Sequence, residues 1–125
     1  MVVGIGLDLV ETARLARVLA TYGSRFEDRV YTRSEVEACA RRGDRIQALA
    51  ARFAAKEACL KALGTGWSGG LSFRQVEIVS DPAGRPAIRL LGRAETRARE
   101  LEVRSIHVSL THQPGVAAAV VVLER

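Results

Sequence analysis

Residues 44–64 constrain the fold of this chain more than any other stretch. Asp44 reads as an N-cap and Gly64 as the residue just past a helix C-terminus, and no proline or glycine stands between them. The spacing predicts one long helix over residues 45–63, around which the rest of the chain must pack. At about 100° per residue, Ile46, Ala50, Phe53 and Leu60 fall within a quarter-circle. Glu57 falls in the middle of it. A buried glutamate needs a partner charge, hydrogen bonds or a metal ion. Lys61 and Lys56 flank the stripe on opposite rims. A plain alternative is a surface Glu57–Lys61 pair at i,i+4 spacing, worth a few tenths of a kcal/mol.

The remaining elements are short. Residues 2–10 alternate as a strand, with Val3, Ile5, Leu7 and Leu9 on one face and Gly4, Gly6 and Asp8 on the other. Glycines at alternate strand positions mark the close approach of another backbone or a ligand. A helix is expected over residues 11–20, with Leu15, Val18 and Leu19 inward and Arg14 and Arg17 outside. Thr32 followed by Glu35 has the capping-box pattern of a helix running towards Arg41. Beyond Gly64 the pattern predicts a strand at 72–79, a turn at 81–84 and a strand near 87–91. A helix at 94–101 and strands at 103–111 and 116–124 follow, the last two joined as a hairpin through residues 112–115. Hairpin-connected strands imply an α+β fold: a small antiparallel sheet packed with one long central helix and shorter helices, in a single domain over residues 1–125.

Charge narrows the partner. Nineteen basic against fourteen acidic residues give a formal +5, which suits nucleic acid, a phosphorylated metabolite or an acidic protein. All the basic residues are arginines except Lys56 and Lys61, which fall in one short stretch. Lysine is a compact point charge where arginine is a planar fork, so the clustering hints that this stretch needs ammonium groups. A non-catalytic nucleic-acid-binding protein is the alternative class. Aromatic residues at 5% and arginines spread along the chain count against it. An apolar share of 48% with 26% charged residues excludes disorder, and no apolar run approaches the length of a membrane span. No signal peptide is visible, so Cys39 and Cys59 are expected as reduced thiols in a cytoplasmic protein.

Asp8 interrupts an apolar strand on its glycine-lined face. Alone it is nearly as well explained as a cap for the following helix. Together with Glu57 it gains meaning, because proteins hold Mg²⁺ with one or two carboxylates and leave the other positions to water and phosphate oxygens. Lysines beside such a pair would contact phosphate, and the reaction class would be phosphoryl-type transfer. Gly64-Thr65-Gly66 is no phosphate loop of the Walker kind, since it follows a helix instead of preceding one. At 106–112, Ile106, Val108 and Leu110 share one face, His107, Ser109 and Thr111 the other, and His112 stands at the turn. That polar row fits either a solvent face or a phosphate contact.

Four blocks occur in order: Gly4-Ile5-Gly6-Leu7-Asp8, Arg52-Phe53-Ala54-Ala55-Lys56-Glu57-Ala58, Lys61-Ala62-Leu63-Gly64-Thr65-Gly66 and His107-Val108-Ser109-Leu110-Thr111-His112. In this combination the chain resembles the 4′-phosphopantetheinyl transferases, specifically the short bacterial holo-acyl-carrier-protein synthases. The resemblance implies transfer of 4′-phosphopantetheine from coenzyme A to a serine of apo acyl carrier protein, with release of 3′,5′-ADP. It implies Mg²⁺ at Asp8 and Glu57, and catalytic roles for Asp8, Glu57 and Lys61. Coenzyme A contacts are implied at Arg52, Lys56, Lys61, Gly64, Thr65, Pro86, Ser109, Thr111 and His112. Arg14, Arg17 and Arg25 would receive the acidic carrier protein. The family resemblance further implies a homotrimer with active sites between subunits.

Overall fold

A computed structural model describes residues 1–64 and 69–125. In chain order the elements are β1 (Val2–Glu11), α1 (Thr12–Tyr22), α2 (Ser24–Val30), α3 (Arg33–Ala40) and α4 (Arg45–Leu63). A 3₁₀ turn (Phe73–Gln75), β2 (Val76–Ser80), β3 (Pro86–Leu90), α5 (Gly92–Glu100), β4 (Ser105–Gln113) and β5 (Val116–Glu124) follow. The mixed helix and antiparallel-sheet class is as expected. Helix α4 ends as its sequence requires: Gly64 takes φ 80°, and its N–H donates to the carbonyls of Leu60 and Lys61. Its start differs from expectation. Asp44 occupies the N-cap position, but its carboxylate accepts from the Arg42 guanidinium at 2.8 and 3.0 Å and caps nothing.

Helix α4 is buried on nearly every side, not along one stripe. Leu49, Ala50, Ala54, Ala55, Lys56, Ala58, Cys59 and Leu63 are all sealed from solvent, while Ile46 and Phe53 are only half-buried. The cause is its central place, since β1, β4 and β5 pack on it together with α1, α3, α5 and β2. Its many alanines leave room for these neighbours to come close. A helix apolar most of the way round is one that many elements surround.

The main sheet has the order β1-β5-β4, antiparallel throughout, and β2 and β3 form a separate antiparallel pair. Pro114-Gly115 turns the β4–β5 hairpin, with Gly115 at φ 92° in the position where a type II turn requires a positive value. The turn is tighter than expected, so His112 lies within β4, paired with Ala117. One face of the sheet packs on α4 and carries Gly4, Gly6, Asp8 and Val10 in register with Leu123, Val121, Ala119 and Ala117. The approaching backbone foreshadowed by the glycines is that of α4. A Cβ on Gly4 would stand 2.2 Å from the Ala62 carbonyl oxygen, and one on Gly6 1.8 Å from that of Ala58. The apolar row of β1 consequently faces outward, with Ile5, Leu7 and Leu9 at 65%, 63% and 68% exposure.

Two other elements depart from expectation. Gly23, at φ 55°, separates α1 from the short helix α2, which the sequence pattern did not disclose. The strand expected from residue 72 begins only at Val76, because Phe73–Gln75 first make a 3₁₀ turn. Cys39 and Cys59 are buried free thiols, and burial pushes the Cys59 thiol up to about 12. Among the described residues no helix is long and apolar enough to cross a membrane.

Candidate functional site

A cleft of about 600 Å³ opens between β1, α1 and α4, and its walls include Asp8, Glu11, Arg14, Phe53, Glu57 and Lys61. Asp8 reaches it from the inner face of β1, two residues beyond the glycine that sits on α4. Phe53, Glu57 and Lys61 reach it from successive turns of α4. Lys61 Nζ lies 2.9 Å from Asp8 Oδ1 and donates to the Leu7 carbonyl at 3.0 Å. The i,i+4 alternative is therefore not the pairing seen: Lys61 ties the helix to the strand and leaves Glu57 alone.

Glu57 is half-buried and makes no hydrogen bond or ion pair among the described residues. Burial pushes its carboxyl above the usual carboxylate range, and Asp8 pushes it further, while Lys61 pulls it back. A carboxylate carrying this load gains from a cation. Asp8 and Glu57 offer two hard oxygen donors to one cleft, and among the described residues no group of three or more histidine, cysteine or acidic side chains is placed to hold a metal ion by itself. That donor set fits Mg²⁺, which keeps most of its coordination for water and phosphate, and it lacks the nitrogen and sulfur ligands of a zinc site.

The other site residues expected from sequence divide into separate places. Lys56 is corrected outright as a ligand contact. Its ammonium is sealed inside, 2.8 Å from Glu35 Oε1, and it donates to the carbonyls of Phe73 at 3.0 Å and Val76 at 2.7 Å. It has no donor left for a phosphate. Arg52, Pro86 and His112 line a second, smaller groove with Arg42 and Ser80. Arg52 Nε is buried there without a hydrogen-bond partner among the described residues, a cost that a bound acceptor would remove. Ser109 and Thr111 lie on the outer face of the sheet, away from His112, because neighbours in a strand point to opposite sides.

Gly64 is the exposed cap of α4, and Thr65 lies outside the described residues. Arg14 joins the Asp8–Glu57 cleft, and Arg17 lies exposed on α1. Arg25 lines a neighbouring hollow with Val18, Tyr22, Phe26 and Arg29. Sequence reasoning missed Glu35 as the partner of Lys56, and missed Glu11 and Arg42 in the two grooves. The one signal for Glu35 was its capping-box position, which accounts for only half of what it does.

Comparison with known proteins shows the family. The family profile described as the 4′-phosphopantetheinyl transferase superfamily matches residues 4–121. The holo-[acyl-carrier-protein] synthase of Methylobacterium radiotolerans is 48% identical over 128 residues, covering 99% of this chain and 94% of that protein. The crystal structure of the Neisseria meningitidis holo-[acyl-carrier-protein] synthase superposes with a TM-score of 0.92 at 34% identity, covering both chains completely. The Helicobacter pylori enzyme of the same name, solved in complex with coenzyme A, gives a TM-score of 0.84 at 33% identity over 96% of this chain and 99% of that one. With agreement in sequence along nearly its whole length and in fold, the chain belongs to the 4′-phosphopantetheinyl transferase superfamily, among its holo-[acyl-carrier-protein] synthases.

Proposed function

We propose that this enzyme transfers 4′-phosphopantetheine from coenzyme A to a serine hydroxyl of an apo acyl carrier protein, in the presence of Mg²⁺, and releases 3′,5′-ADP. The observation that carries this reading is the meeting of Asp8, Glu57 and Lys61 in one cleft. Asp8 and Glu57 would hold Mg²⁺, which when bound neutralises charge on the pyrophosphate. Lys61, half-exposed in the cleft wall, offsets charge growing on the bridging and leaving phosphate oxygens. Glu57, directly or through a bridging water, takes the serine proton. The serine oxygen bonds to the phosphorus that carries pantetheine, and the bond from that phosphorus to the bridging oxygen breaks. The electron pair leaves with 3′,5′-ADP. Arg14, Arg17 and Arg25, on α1 and α2, give the acidic carrier protein a basic surface beside the cleft.

Incubation with coenzyme A, Mg²⁺ and an apo acyl carrier protein should add the mass of one phosphopantetheine to the carrier, read by intact-mass spectrometry. Turnover should disappear on chelation of the metal. No mass gain on any carrier protein offered would overturn the proposal.

The outward row of Ile5, Leu7 and Leu9 supports the expected trimer. With Val120 and Val122 of β5 beside it, it makes an apolar sheet face that none of the described residues covers. On this reading the face is buried between copies, and Ser109 and Thr111, next to it on β4, reach coenzyme A held at a neighbouring subunit. The groove of Arg52, Pro86 and His112 would take the nucleotide end. Ile5→Asp should reduce the mass measured by light scattering to that of one chain, with transfer lost. A wild-type protein that is monomeric and active would contradict the intersubunit site. Buried free cysteines suit the reducing cytoplasm in which we place the enzyme.

A further inference from the structure

Glu35 and Lys56 are both fully buried, 2.8 Å apart, at a place where neither can touch a substrate in the cleft. Hiding two charges is an unusual way to gain stability, because desolvation offsets the attraction and apolar residues of similar volume often do as well or better. Every polar atom of the pair is nevertheless used. Lys56 spends its three N–H groups on Glu35 Oε1 and on the carbonyls of Phe73 and Val76. Glu35 Oε1 also accepts from the Thr32 N–H at 2.8 Å, and Oε2 accepts from the Ile78 N–H at 2.7 Å. The Tyr31 ring closes the site, 5.8 Å from the ammonium. These contacts tie the start of α3, the middle of α4 and residues 73–78 to one another. They also explain why this position is a lysine: three acceptors converge on one point, which a planar guanidinium cannot serve.

Lys56 directly precedes Glu57. Consecutive side chains leave a helix about 100° apart, so holding Lys56 against residues 73–76 sets the direction in which Glu57 points. The glycine contacts of β1 fix how closely α4 approaches the strand, and the Lys61 bonds to Leu7 and Asp8 hold its cleft side. The Lys56 network adds directional bonds that resist rolling on a face about 100° round from Glu57. We propose that the Lys56–Glu35 pair is a positioning device for the transfer reaction, setting the rotation of α4 that brings Glu57 and Lys61 to face Asp8. This rests on the reading that Glu57 serves the transfer.

The test uses the full-length enzyme as Lys56→Met/Glu35→Gln, which removes both charges, and as Glu35→Asp, which keeps both but draws the carboxylate back. Three quantities are read: the melting temperature, kcat and KM for coenzyme A, and Mn²⁺ binding with coenzyme A but no carrier protein, followed by loss of the free-ion electron paramagnetic resonance signal. For the double variant we expect cooperative melting with kcat lowered about 10- to 100-fold. KM for coenzyme A should stay within about 2-fold, and Mn²⁺ affinity should fall several-fold, since a rotated Glu57 is a lost ligand. Glu35→Asp should show the same pattern at smaller size. It is the more conservative change, so failure of the double variant to fold leaves the question decided by it. Wild-type kcat and Mn²⁺ affinity in either folded variant would overturn the proposal. Glu57→Gln is measured alongside. If it too is fully active, the reading of Glu57 has failed; if it alone is crippled, only the positioning role has.

Discussion

Replacing Gly6 by alanine is expected to lower transfer by about 10²-fold or more in a protein that still folds. The added methyl would stand 1.8 Å from the Ala58 carbonyl oxygen, and helix backbone cannot move aside as a side chain can. Strand and helix must separate, at a cost of roughly 1–3 kcal/mol by analogy with overpacked cores. Asp8 is two residues from the point of contact, and Glu57 precedes Ala58. The separation therefore acts directly on the distance between the two carboxylates. Gly43 provides the control, because a Cβ there meets nothing within 4 Å. Gly43→Ala should stay within about 0.5 kcal/mol of wild type and keep its activity. Thermal melts and mass-based transfer rates on the two variants check this pair. Near-normal transfer in Gly6→Ala would mean that β1 and α4 need not be in close contact for the reaction.

Glu57→Gln should have opposite effects on activity and stability. Transfer should fall about 10²- to 10⁴-fold, the range for losing a positioned acid or base. The metal-free protein should become more stable at pH 7. The sign follows from the raised pKa of Glu57, caused first by burial and then by Asp8. The folded state holds this proton more tightly than the unfolded state does. Stability is consequently lost as pH rises from about the ordinary glutamate value of 4.5 through the raised one, and the loss is complete above it. Glutamine removes that cost, so the two melting curves should converge below pH 4.5 and separate above it. A variant that is less stable than wild type at pH 7 would show that Glu57 is a structural group.

Much of this was legible from sequence for identifiable reasons. The bounds of α4 follow from an uninterrupted run that ends at Gly64. The capping box at Thr32 and Glu35 forms in full. Asp8 and Glu57 stood out because each places an acid where packing alone calls for an apolar side chain. What was not legible depended on which side of an element is inside. A period-two pattern says that Ile5, Leu7 and Leu9 share a face, and silently invites the assumption that this face is the core. The glycine face is the inner one, because a missing side chain is what lets a helix backbone settle on the strand. A helical wheel misplaces Lys56 for a related reason, since it assumes one packed side while α4 is packed on several. His112 is expected at the turn, but the tighter hairpin keeps it within β4, where strand alternation sends it to the side opposite Ser109 and Thr111.

The central claim is that Asp8 and Glu57 act together on one divalent ion. Mn²⁺ binding in the presence of coenzyme A, measured for wild type, Asp8→Asn, Glu57→Gln and the double variant, tests it most directly. Two ligands of a single ion should be strongly non-additive, so that either single change weakens binding nearly as much as both together. Independent, additive losses, or wild-type affinity in either single variant, would contradict a shared metal site.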